Sequence, residues 1–96
     1  MEFEWDGGNQ TKSLIKHGTS KEETEQVFSH RYFLRIDEIH SQGEVRFKLV
    51  GITDVGKILF VIFTTRKEKI RIISARMASE KERRSYYEEK KAKENS

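Results

Sequence analysis

The sequence predicts an α+β fold in one domain, residues 1–96, with the element order β-α-α-β-β-β-β-α and an antiparallel sheet packed against helices. Three observations carry this. From residue 32 onward, four short apolar runs (32–36, 45–52, 57–65 and 68–76) are rich in the β-branched and aromatic residues that favour strands. The links between the last three, Asp54-Val55-Gly56 and Arg66-Lys67-Glu68, are too short for anything but hairpins, so the strands form a meander. Two serine-x-x-glutamate signatures, Ser20 with Glu23 and Ser79 with Glu82, have the form of capping boxes that open helices.

Taken in order, residues 2–5 alternate charged and aromatic side chains, which predicts a short strand with Phe3 and Trp5 facing inward. Asp6-Gly7-Gly8 ends it. A first helix is expected over 9–17, with Leu14 and Ile15 as its apolar contribution and Gly18 as its C′ residue. A second helix opens at Ser20 and runs to about Phe28, anchored by Val27 and Phe28, with Glu22, Glu23 and Glu25 near its positive end. The two middle strands of the meander lack alternation, as strands covered on both faces do. A last helix is expected from about Ser79 to Lys91, docking Met77, Ala78 and Tyr86 on the sheet, with a frayed tail over about 90–96. Tyr86 and Tyr87 are adjacent, so at most one of them is buried and the other is left for a partner.

Composition narrows the function classes. Of the 96 residues 34% are hydrophobic and 36% charged, so the core is modest and the surface crowded with charge. The net charge is only +3, but Arg66, Lys67, Lys69, Arg71 and Arg76 fall within eleven residues with Glu68 as their one acid. A concentrated basic patch is compatible with nucleic acid or an acidic partner. The absence of cysteine excludes disulfides, thiol catalysis and cysteine-ligated metal sites. No apolar run approaches the roughly 20 residues of a membrane span, and the N-terminus lacks the pattern of a signal peptide, so a cytoplasmic protein is expected. No pair of histidines has the short helical spacing of a zinc site, and no metal or cofactor is expected.

Arg66 and Arg76 are the leading candidates for chemistry. Each follows an apolar strand, and two neighbouring strands that both end in arginine are expected to bring two planar forks to one edge of the sheet, around one phosphate. The alternative is that both are solvated strand ends paired with glutamates of the helices. His40, in the loop before the second meander strand and close to Glu44, is a candidate acid or base. His17 beside Lys16 suits a helix end as well as a site. The strand aromatics, among them Phe33 and Phe60, are expected to be core, with base-stacking platforms as the alternative.

Several segments resemble the BrnT toxins: Phe3-Glu4-Trp5-Asp6, Lys16-His17-Gly18, Ser20 with Glu23 and Val27-Phe28, His40-Ser41 with Glu44 and Arg46, Gly51-Ile52, and Thr65-Arg66. The most specific piece is Ile70-Arg71-Ile72-Ile73-Ser74-Ala75-Arg76, leading to Glu82-Arg83, Tyr86 and Glu88. The resemblance runs from residue 3 to about 88. It implies a RelE-like ribonuclease fold and the toxin half of a type II toxin–antitoxin pair that cleaves RNA without metal and arrests translation. It also implies a BrnA-like ribbon-helix-helix antitoxin, through which alone the complex would meet operator DNA. The chain departs from the family pattern at Asn9, where members commonly carry lysine, at Ser13, where asparagine is frequent, and at Tyr87, which separates tyrosine from glutamate.

On that reading Arg66 and Arg76 stabilise the phosphorane, His40 or Glu44 is the base, and Lys12, Lys16 or His17 positions phosphate or supplies the proton. Arg46 and Arg71 join the phosphate-binding set, while Tyr86 and Arg83 are expected to meet the antitoxin. The rival reading is a weakened or inactive homologue kept for antitoxin binding and operon control, with Asn9 in its favour and Lys12 as a partial substitute for the absent lysine.

Overall fold

The computed structural model describes residues 2–5, 18–38 and 43–94. The helix expected over 9–17 lies outside them, as do Lys12, Lys16, His17 and His40. The elements are β1 (Glu2–Glu4), α1 (Lys21–Gln26) continued by a 3-10 turn (Val27–Ser29), β2 (Tyr32–Ile36), β3 (Phe47–Ile52), β4 (Ile58–Arg66), β5 (Lys69–Met77) and α2 (Glu80–Glu94). One five-stranded sheet has the order β1-β5-β4-β3-β2.

The meander from β2 to β5 is antiparallel throughout. The expectation of a purely antiparallel sheet needs correction, because β1 joins the edge of β5 in parallel, with Phe3 opposite Ile70. A parallel pair needs a long crossover, which no short turn signal announces.

Both serines cap their helices, and the full reciprocal box forms at the second. The Glu23 amide donates to Ser20 Oγ at 3.1 Å and that hydroxyl to the Glu23 carboxylate at 3.2 Å. At the second, the Glu82 amide donates to Ser79 Oγ at 3.2 Å while the Ser79 amide donates to the Glu82 carboxylate at 2.8 Å. α2 is continuous to Glu94, past its expected end and through part of the expected frayed tail, because Lys90 to Glu94 are good helix formers with no glycine or proline to stop them. Gly18 has φ +91°, a left-handed backbone that glycine adopts freely.

Strand alternation sends side chains to two different layers. On one face Leu49, Leu59, Val61, Phe63, Ile70, Ile72 and Ala75 build the main core with Val27, and Phe3, Trp5, Phe28 and Phe47 pack against it. Gly51 lets the 3-10 turn come close, since an added Cβ would stand 3.1 Å from the Cβ atoms of Val27 and Tyr32. Trp5 Nε1 donates to Glu25 at 2.8 Å, fastening the end of β1 to α1. On the other face α2 covers only part of the sheet, through a smaller cluster of Phe33, Ile58, Ala78 and Tyr86. Met77, expected to dock with them, is 44% exposed.

Candidate functional site

The partly covered face of the sheet carries the cations. The register places cross-strand rows on it, one behind the other. Phe33, Val50, Phe60 and Arg76 form the row beside α2, followed by Arg35, Lys48, Ile62 and Ser74. Further along come Thr64, Arg71 and Glu4, and finally Arg66, Lys69 and Glu2 at the β4–β5 turn. A bulge on β5 between the partners of Ile62 and Phe63 returns Arg71 and Arg76 to the same face despite their odd separation. The result is a basic strip along one side of the sheet.

Arg66 and Arg76 do not converge, and the expected two-fork clamp on one phosphate is not formed. β4 and β5 run in opposite directions, so their exits lie at opposite ends. Arg76 stands opposite Phe60, and Arg66 is six residues further along β4. At ~3.3 Å per residue the two arginine rows are about 20 Å apart.

At one end, Arg76 lies over the Phe60 ring, 4.2 Å from its centroid, and grips both Glu82 oxygens at 2.8 and 2.9 Å. The Glu82 carboxyl is held below its usual range, first by the hydrogen bond from Arg76 and against the opposing effect of burial. Arg76 is therefore tied into the α2 cap, not a bare strand exit. Phe60, expected to be core, is only half-buried and faces this strip.

At the other end Arg66 donates to Glu44 from Nε at 3.1 Å and from Nη2 at 3.3 Å. The Glu44 carboxyl is pulled down mainly by that hydrogen bond, with help from the charges of Arg66, Arg46 and Arg71. A depressed carboxylate is a weak base near neutral pH. Arg71 reaches Glu4 at 3.4 Å and Lys69 reaches Glu2 at 3.6 Å. The tight turn between Arg66 and Lys69 holds Lys67 at φ 49° and Glu68 at φ 69°, the left-handed pair a type I′ hairpin requires but non-glycine residues resist. A shallow depression lined by Glu4, Arg66, Lys67 and Lys69 sits at this tip.

The structure thus gathers Glu44, Arg46, Arg66 and Arg71 at one end and sets Arg76 apart. Tyr86 is 2% exposed and its hydroxyl donates to the Arg31 carbonyl at 3.0 Å, so its expected contact with a partner is corrected: Tyr87, 47% exposed, and exposed Arg83 are what α2 presents. Lys48 and Arg35 were not singled out from sequence, although the period of two that places Arg46 beside Val50 also places Lys48 between them. Among the described residues no group of three or more His, Asp or Glu side chains is arranged to hold a metal ion. No helix there is long and apolar enough to cross a membrane.

Fold and site together define a small α+β domain with a mixed sheet and a cationic, half-open face. A family model described as "Ribonuclease toxin, BrnT, of type II toxin-antitoxin system" matches residues 5–82, and the chain belongs to that family. The match runs from Trp5, just after β1, to the Ser79–Glu82 cap and leaves most of α2 beyond it. As a type II toxin it has an antitoxin as its partner. A search of the curated proteins found no match.

Proposed function

We propose that the chain is a metal-independent endoribonuclease of RelE-like fold that acts in the cytoplasm, arrests translation by cleaving RNA along the basic strip, and is silenced by a BrnA-like ribbon-helix-helix antitoxin. The observation that carries the proposal is the state of the two arginines: each closes its fork on a carboxylate, Arg66 on Glu44 and Arg76 on Glu82. A phosphate diester offers the same paired oxygens, so RNA would enter by exchanging with an internal acid. The Arg66–Glu44 pair is the easier to exchange, with side chains 49% and 34% exposed.

In this reading the scissile phosphate sits at the Arg66 end. The 2′-hydroxyl attacks phosphorus and loses its proton to His40 or Glu44. Charge on the phosphorane is met by Arg66 with Arg46 and Arg71. The P–O5′ bond breaks and the leaving oxygen takes a proton from Lys12, Lys16 or His17. Cyclic phosphate and a 5′-hydroxyl are the products. Arg76, about 20 Å away, holds the strand rather than the reacting phosphate. The complex meets operator DNA through the antitoxin, with Arg83 and Tyr87 on the toxin's side of the contact.

A second reading, a weakened homologue that serves antitoxin binding and operon control, is favoured by the separation of the arginines and by Asn9. Incubating the purified chain with RNA, with and without EDTA, tests both. Cleavage in EDTA that yields cyclic phosphate ends supports the enzyme, and intact RNA in both arms together with tight antitoxin binding supports the second reading.

A further inference from the structure

Beyond the basic strip, the face holds a cleft between α2 and the sheet, about 450 Å³ in volume. That is within the roughly 300–1,000 Å³ of small-molecule sites. Its floor is apolar, made by Phe33, Val50 and Phe60, and α2 forms one wall with Ser85 and Glu89. Cations stand at its margin, Arg35 and Lys48 from the sheet and Lys81 from the helix.

Lys48 differs from its neighbours. Arg35 is paired with Glu89 at 2.7 Å and Arg76 with Glu82, whereas half-buried Lys48 makes no ion pair among the described residues. A half-buried ammonium beside an apolar floor suits a ligand that is flat and apolar at one end and anionic at the other. The cleft is also continuous with the strip, since Lys48 shares a row with Ile62 and Ser74 and adjoins the row of Phe60 and Arg76.

We propose that this cleft receives one unpaired base of single-stranded RNA, with Lys48 holding the adjoining phosphate, and so selects which nucleotide is bound upstream or downstream of the cut. The inference deepens the ribonuclease reading and rests on it. An unpaired base offers an apolar face and polar edges, which match the phenyl floor and the Ser85 and Glu89 wall. A strand running from the cleft to Arg66 passes Lys48, Arg71 and Arg66 in turn.

The test is a titration of the full ¹⁵N-labelled chain with three probes: a 2′-O-methyl RNA hexamer that resists cleavage, an abasic strand of equal length, and single nucleoside monophosphates. The expected result is that hexamer and at least one monophosphate shift the amides of Lys48, Phe60 and Ser85, while the abasic strand shifts only the Arg66–Arg71 end. Ser85→Trp, placed on an exposed helix position, fills the cleft and weakens hexamer binding roughly tenfold at an unchanged melting temperature. Hexamer shifts confined to the Arg66–Arg71 end, or equal cleft shifts from the abasic strand, overturn the base site and leave the ribonuclease reading standing. No shift anywhere with the hexamer removes both.

Discussion

The Arg76 guanidinium and the Glu82 carboxylate meet through two parallel hydrogen bonds, and the same carboxylate accepts the Ser79 amide that opens α2. One acid thus links the last strand, its stacked Phe60 ring and the start of the last helix. Arg76→Ala should therefore lower stability as well as RNA binding. With the pair partly exposed, about 1 kcal/mol is expected, or ~4–8 °C in melting temperature. A double-mutant cycle with Glu82→Gln should give a clear coupling energy, and strictly additive losses would show that the pair is not coupled.

Acid should loosen the same joint. Glu82 is depressed chiefly by the hydrogen bond from Arg76, and Glu23 by the hydrogen bond from Lys57. Both folded carboxyls titrate below the ordinary 4.5, so their contribution is complete above that value. As pH falls the unfolded chain takes up protons first, and stability is lost through the folded values. Denaturant midpoints measured from pH 6 downward should fall below about pH 4.5, and Glu82→Gln should flatten the fall. An unchanged slope in that variant would locate the acid sensitivity elsewhere.

Glu44 offers a test of the opposite sign. Because it neutralises Arg66, Glu44→Gln should strengthen RNA binding several-fold while Arg66→Ala weakens it and cuts cleavage by about 10² or more. If Glu44 is the base, however, Glu44→Gln loses cleavage while binding improves, so affinity and rate read separately decide its role. Weaker RNA binding in Glu44→Gln would reject the exchange of phosphate for carboxylate.

Salt dependence reports how many cations the RNA uses. Each neutralised phosphate should contribute a log–log slope of about −0.7. Cations already held by Glu2, Glu4, Glu44 and Glu82 release fewer counterions, so the slope should be shallower than the number of cations on the strip implies. A slope near zero would indicate that the strip does not bind a nucleic-acid backbone.

The β4–β5 turn stores strain in Lys67 and Glu68. Replacing the pair with Asn-Gly should relieve roughly 1 kcal/mol and raise the melting temperature. If the strained turn serves Arg66 and Lys69 at its tip, RNA binding should drop even as stability rises; calorimetry and a binding assay on one variant separate the two effects.

The local elements were readable because their determinants lie within a few residues of one another. Ser20 and Ser79 specify helix starts because each hydroxyl accepts the amide three residues on, and at Ser79 the Glu82 carboxylate accepts the serine amide in return. The four meander strands follow from apolar runs and short turns, each within two residues of its observed limits. The candidate site was less legible, for reasons of direction and register. Two strands of a hairpin leave the sheet at opposite ends, so matching arginines at their exits separate rather than meet. Nothing local marks Lys48 as a site residue or moves Phe60 from the core to the open face, because alternation shows which residues share a face, but not which face the last helix leaves open.

Local patterns in the chain suffice for an α+β domain, its caps, its hairpins and a concentration of positive charge before the last helix. That β1 lies parallel to β5, that Tyr86 is buried while Tyr87 is exposed, and that the charge forms a strip with a cleft at one end follow only from long-range packing. The physical reason is range. Helix caps and turns are settled by hydrogen bonds between near neighbours, whereas burial, ion pairing and the spacing of Arg66 from Arg76 depend on a register that forms only when distant segments pack together.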